Sequence, residues 1–322
     1  MKYIILSLTN LKNECVIKYI YFITWRYIKI KPTKYQTLEV FKKDIKKEID
    51  LNKENVFGLD QLNNILYSNR RDWKIPITVD LEDFIYFCLN NNILIDCSLM
   101  FPKKKIRRYM KYKKPAYKEE VALSLSNSAY FSHYSAVMIH DLSYNVVKHL
   151  YVSTELSKKK LASQPLLQQN IDKAFRNKMR ITKRIAEYQN SYIYWLESKN
   201  YNRLGVIEKN NYRYTDLERT LLDILMRPSY SGGIKEVIDI FSKAKDNLSI
   251  SKLYKYIRKM SPIYPYHQSL GFILEYIGLS GKLVDMFEKL GCFYDFYLDY
   301  NMDIEKCNYS KKWRVYYPNY LD

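Results

Sequence analysis

Two histidines, His133 and His140, stand seven residues apart with Asp141 beside the second, a spacing that puts both rings on one helix face. A metal ion needs a third and a fourth ligand at comparable spacing, and the neighbouring sequence offers none. The pair therefore reads as side chains tying a short helix, Ser132 to Leu142, to a sheet. Glu197-Ser198-Lys199, at the end of an apolar strand, has the glutamate-x-lysine spacing of a metal-dependent nuclease core. That chemistry also needs an acidic residue at a preceding turn to complete a Mg²⁺ site. Asp172 is the nearest upstream, but it lies in a Gln- and Lys-rich stretch of helical pattern, so surface charge is the better account. The sequence has no Gly-rich phosphate loop, serine elbow or Cys/His pairing, and only eight Gly. We expect no catalysis, no cofactor and no bound metal, with a metal-dependent nuclease acting on DNA or RNA as the alternative.

A different chemistry stands out between Lys103 and Lys114. Eight cations fall there, Lys103, Lys104, Lys105, Arg107, Arg108, Lys111, Lys113 and Lys114, with Tyr109 and Tyr112 interleaved. Such a run is either a solvated face or a surface that grips phosphates. The elements around it favour the second. Leu38, Phe41, Ile45 and Ile49 repeat at helical spacing, Val56-Phe57 suits a short strand, and Leu59, Leu62, Ile65 and Leu66 form a second helical stripe. Pro76 forbids a helix through 69–79. Asp80 then caps a third helix with Leu81, Phe84, Ile85, Cys88 and Leu89 inward. Ile93 to Ile95 reads as a strand and Ile106 to Tyr112 as its hairpin mate, with Pro102 to Lys105 as a basic tip.

Helix, short strand, helix, helix, hairpin is the order of a winged helix-turn-helix, whose last helix enters the major groove while flanking elements hold phosphates. The start of that helix is acidic, with Asp80, Glu82 and Asp83, where DNA readers usually carry Arg, Lys, Asn or Gln. Base contacts therefore fall to Arg70, Arg71 and Lys74 just before it, or to Asn90 and Asn91 near its end.

Downstream, strands are expected at Lys148–Val152, Tyr192–Leu196 and Leu204–Ile207. Helical stripes follow Tyr214: a capping box of Thr215 with Glu218 opens a buried helix with Leu217, Leu221, Ile224 and Leu225 inward. Further stripes run through Ile234–Phe241, Leu253–Ile257, Leu270–Ile277 and Leu283–Leu290, and Trp313–Tyr317 suggests a closing strand. The expected fold is α+β, with an N-terminal winged helix-turn-helix (36–116) and a mixed α/β domain ending in a helical array (117–322). Residues 1–35 form an extension.

The formal charge is +19, from 53 basic and 34 acidic residues, and favours a polyanionic partner. The segment 213–322 is near neutral, so the polyanion site belongs upstream. Five cysteines, Cys15, Cys88, Cys97, Cys292 and Cys307, suit neither a zinc site nor a disulfide framework, which points to a cytoplasmic protein. Tyr3 to Leu11 lacks a cleavage site, and Lys18, Arg26 and Lys29 interrupt the apolar run after Cys15, so no membrane span is expected.

Five segments in order resemble the AbiEi family, the antitoxin half of AbiE abortive-infection systems. They are Ala129-Tyr130-Phe131-Ser132-His133-Tyr134-Ser135-Ala136 with His140, Thr215 to Leu225 with Arg227 to Gly233, Tyr264 to Phe272, Asp295 to Leu298, and Trp313 to Pro318. The likeness runs from about residue 37 to the end. It implies a type IV antitoxin and autoregulatory repressor that binds inverted repeats in double-stranded promoter DNA. It also implies an AbiEii-like nucleotidyltransferase toxin as functional partner, opposed without a stable complex.

Overall fold

The computed structural model describes residues 34–145, 147–157 and 165–321. The proposed extension before residue 34, with Cys15 and the two apolar runs, lies outside the described residues. The chain is mixed α and β and divides into two units: one of 34–98 with Arg107–Tyr117, the other of Leu99–Ile106 with 118–321. Among the described residues no helix is long and apolar enough to cross a membrane.

In the first unit α1 (Lys34–Val40) and α2 (Lys42–Leu51) bury Leu38, Ile45 and Ile49, the residues whose three- and four-residue spacing marks the inward stripe. Next come β1 (Val56–Phe57), α3 (Leu59–Asn69) and α4 (Leu81–Asn90). Asp80 caps α4 by accepting from Asp83 N at 2.9 Å, and Asp83 returns a bond to Asp80 N at 3.1 Å. The acidic start of α4 is thus the capping machinery of the helix. β2 (Leu94–Asp96) and β5 (Tyr109–Lys111) pair antiparallel, with β1 on the far side of β5, giving the order β1-β5-β2. Phe57, Leu62, Leu66, Phe84, Cys88 and Tyr109 fill the space between sheet and helices.

The outer part of the expected hairpin behaves differently. β3 (Leu99–Phe101) and β4 (Lys104–Ile106) form a separate two-stranded ladder, and this ladder belongs to the second unit. The second unit continues through α5 (Lys118–Leu123), β6 (Tyr130–Phe131), α6 (His133–Ile139), β7 (His149–Glu155), α7 (Gln168–Phe175), β8 (Ile185–Tyr188), β9 (Ser191–Ser198), β10 (Val206–Lys209) and β11 (Tyr212–Thr215). The six strands β6 to β11 form one sheet in the order β10-β11-β6-β7-β9-β8. β7 and β9 run parallel over seven paired residues, and the other pairs are antiparallel except β11 with β6.

Helices α8 (Leu217–Met226), α9 (Ile234–Ala244), α10 (Ile250–Met260), α11 (Tyr266–Tyr276) and α12 (Lys282–Glu288) follow. The chain closes with β12 (Phe296–Tyr297), β13 (Cys307–Ser310) and β14 (Val315–Pro318), in the order β12-β14-β13. The cap of α8 is Asp216 rather than Thr215: its Oδ1 accepts from Arg219 N at 3.0 Å. Thr215 is spent on the ladder of β11 with β10, and Glu218 accepts instead from Ser249 N at 2.9 Å.

Because α6, α9, α10 and α11 surround it, α8 buries Glu218, Arg219, Thr220 and Asp223 as well as its leucines. Buried polar groups need internal partners. Arg219 Nε donates to Asp223 Oδ1 at 2.8 Å, its NH1 donates to Leu204 O at 2.8 Å, and its guanidinium lies over Tyr201. Asp216 takes Tyr256 OH at 2.8 Å, and Lys252 bridges Asp216 and Glu218.

Gly271 on α11 faces the buried Trp313, and a Cβ there would overlap the indole ring. Gly271→Ala is expected to cost about 1–3 kcal/mol through overpacking, read as a lowered urea midpoint.

Candidate nucleic-acid interface

In the first unit the residues before and after α4 divide into supports and surface groups. Arg70 is a support: NH1 donates to Pro76 O at 2.6 Å and NH2 to Val79 O at 2.9 Å, which fixes the loop leading into α4. Arg71 and Lys74 on that loop are exposed. Asn91 donates its amide to Phe87 O at 2.9 Å and closes the end of α4. Asn90 is exposed, with Glu82 and Tyr86 above it on the outward side of the same helix.

The cations of β4–β5 are less available than their number in the sequence implies. Lys111 is buried, and its ammonium donates to Asp50 O at 3.1 Å and Asn52 O at 2.6 Å, carbonyls at the end of α2. It therefore drops out of the interface: its charge answers the orphan carbonyls of a helix C-terminus. Lys111→Ala is expected to cost about 1–3 kcal/mol of stability by leaving those carbonyls unpaired, with little change in DNA affinity at matched folded fraction. Chemical denaturation alongside a gel-shift titration checks this. Arg107 forks onto Glu82 at 2.5 and 2.7 Å and donates from Nε to Tyr109 OH at 2.9 Å. Arg108 is half-buried, burial holding its guanidinium below the usual arginine range, and NH1 donates to Arg107 O at 2.7 Å. Arg107 thus ties the approach to β5 to the start of α4, and Arg108 braces the same approach.

Lys103, Lys104 and Lys105 are exposed, and they stand on the second unit. Phe101 anchors their ladder there with its ring 5.6 Å from that of Trp195 on β9. Lys104 Nζ lies 4.8 Å from the centre of the Trp195 ring, and the Arg184 guanidinium lies 5.3 Å from it. Trp195 Nε1 donates to Thr154 Oγ1 at 2.9 Å, which fixes the indole. Arg184 ends an exposed stretch that the sequence reading passed over. Arg176, Lys178, Arg180, Lys183 and Arg184 are five exposed cations with no acidic residue among 176–184. The signal was available as a local charge run, hidden because the surrounding segment is only moderately basic. Lys104 of the hairpin and Arg184 of this stretch thus meet at Trp195.

The residues considered for catalysis are engaged elsewhere. Glu197 pairs with Arg184 at 2.5 Å. Asp172 accepts from Tyr297 OH at 2.9 Å and from Gln168 Nε2 at 2.8 Å. His133 is buried and holds Ser132 Oγ at 2.8 Å, with burial pushing its pKa down to about 4, so the ring stays neutral. His140 Nε2 meets Thr215 O at 2.8 Å, tying α6 to β11. Among the described residues no three His, Cys, Asp or Glu side chains stand close enough to hold a metal ion.

No family model matches the sequence, and no curated protein does. The architecture is nevertheless shared with a solved structure, the crystal structure of the RV2827C protein from Mycobacterium tuberculosis. The TM-score is 0.52 at 10% sequence identity, over 86% of this chain and 90% of that one. At this identity the likeness concerns the fold alone.

Proposed function

We propose that the chain is an AbiEi-like antitoxin and autoregulatory repressor, with the first unit acting as a winged helix on promoter DNA. The observation that carries this is the three-stranded sheet β1-β5-β2 packed on α2, α3 and α4. In that arrangement α4 is the helix for the major groove, and the loop bearing Arg71 and Lys74 flanks it. The second unit carries a basic surface of its own, and there Lys103, Lys104 and Lys105, with Arg180 and Lys183, offer phosphate contacts. The second unit counters a nucleotidyltransferase toxin by a route that needs no stable complex. Support for the family comes from the packing of its motifs: Leu217 to Leu225, capped by Asp216, lies in the central helix α8, and Gly271 lies against Trp313.

Two experiments test the proposal. A gel-shift titration with the chain's own upstream region should show retention at lower protein concentration than a scrambled duplex. Coexpression with a nucleotidyltransferase toxin of the AbiEii kind encoded alongside it should rescue growth. Equal retention of both duplexes contradicts the repressor assignment, and failure to rescue contradicts the antitoxin assignment.

A further inference from the structure

The outward side of α4 carries three residues in line, Glu82, Tyr86 and Asn90, each four positions from the next. Their inward counterparts, Phe84, Ile85, Phe87 and Cys88, are buried. Charge on this side is already spent. Both Glu82 oxygens are held by the Arg107 fork, and Asp83 is held by Lys34 at 2.7 Å. The fork that would suit guanine O6 and N7 is therefore occupied by a carboxylate.

Two uncharged groups are left facing out. The Tyr86 ring is 57% exposed and is steadied edge-on by Tyr35, with ring centres 6.0 Å apart. The Asn90 carboxamide makes no hydrogen bond among the described residues, unlike that of Asn91. A shallow groove between α1 and α4 runs past both, with Tyr35, Gln36 and Glu39 on its other wall, the Glu39 carboxylate being met by Lys42 at 3.3 Å.

A carboxamide offers one acceptor and one donor in the plane that adenine N6 and N7 require, and an aromatic ring suits the thymine methyl. We infer that α4 reads A·T base pairs, Asn90 contacting an adenine through the major groove and Tyr86 packing on a thymine methyl beside it. The inference rests on α4 being the groove-entering helix, as proposed above. It assigns base reading to Tyr86 and Asn90, and phosphate contact to the exposed lysines and arginines.

The test uses the full chain and a library of duplexes with a randomised core, bound fragments being sequenced for the wild type, Asn90→Ala and Tyr86→Ala. The wild type is expected to enrich A·T pairs at a few fixed positions. Asn90→Ala should lose the preference at one of them and Tyr86→Ala at a neighbour, both at unchanged unfolding midpoint. With the wild-type chain, 7-deaza-adenine at the Asn90 position should weaken binding about tenfold, a probe independent of folding. Uracil in place of thymine at the Tyr86 position should weaken it less. A G·C motif at these positions, or a motif and affinity indifferent to both variants and both base analogues, overturns the inference and leaves the repressor proposal standing. No enriched motif at all overturns both.

Discussion

Replacing Lys103, Lys104 and Lys105 together with alanine is expected to weaken promoter binding roughly 100-fold at 0.15 M salt and to flatten the salt dependence of log affinity by about 3. Each phosphate neutralised by a lysine releases close to one condensed counterion, so three lost contacts remove nearly three from the slope. The three side chains are exposed at the turn of β3 and β4, and their ladder is held by Phe101 on Trp195, so the fold should survive. Loss of affinity should be uniform across sequences, because phosphate contacts carry no base information. Fluorescence anisotropy across a salt series checks this, with an unchanged slope counting against hairpin contact. Arg107 and Arg108 are left intact in the test. Arg107 holds Glu82 and Arg108 braces the turn before β5, so changing them would mix folding with binding.

Arg219→Ala should bring the largest loss of stability, about 3–5 kcal/mol. Arg219 is 1% exposed and faces Asp223, whose second carboxylate oxygen already lacks a hydrogen-bond partner among the described residues. Removing the guanidinium strands a buried carboxylate and frees Leu204 O. Replacing both partners by apolar residues of similar volume, Arg219→Met with Asp223→Leu, should recover most of the loss, since desolvation of the ion pair then disappears as well. Urea unfolding of the single and double variants separates the two outcomes. A single variant within 1 kcal/mol of wild type would mean that the pair is solvated in the native protein.

Much of the fold could be read from spacing alone. The stripes at Leu38–Ile49, Ile234–Phe241 and Leu270–Ile277 become helices because periodicity is local and long enough to count. β6 and β12, at two residues each, are too short for alternation to show, and their place is set by β7 and β14. At Thr215-Asp216 two good cap residues stand side by side, and the choice falls to the neighbouring strand, which claims Thr215. The hairpin shows the limit more sharply. Its turn and cations were visible, but membership of the second unit depends on Phe101 meeting Trp195, a contact across 94 positions.

The same holds for the interface. A run of basic residues reports charge and leaves open which ammonium or guanidinium has a partner. Lys111 looks equal to Lys103 in sequence, but the carbonyls of Asp50 and Asn52 close over it. The acidic start of α4 counted against base reading on composition. In three dimensions its carboxylates cap the helix and hold Arg107 and Lys34, and uncharged Tyr86 and Asn90 remain outward.

The most direct measurement is fluorescence anisotropy of the full chain with its own promoter fragment and with a scrambled duplex of equal length, across a salt series. Promoter affinity exceeding scrambled affinity by a thousandfold or more, with both falling steeply as salt rises, is the result for a winged-helix repressor. Equal affinities for the two duplexes, or binding indifferent to salt, would contradict it.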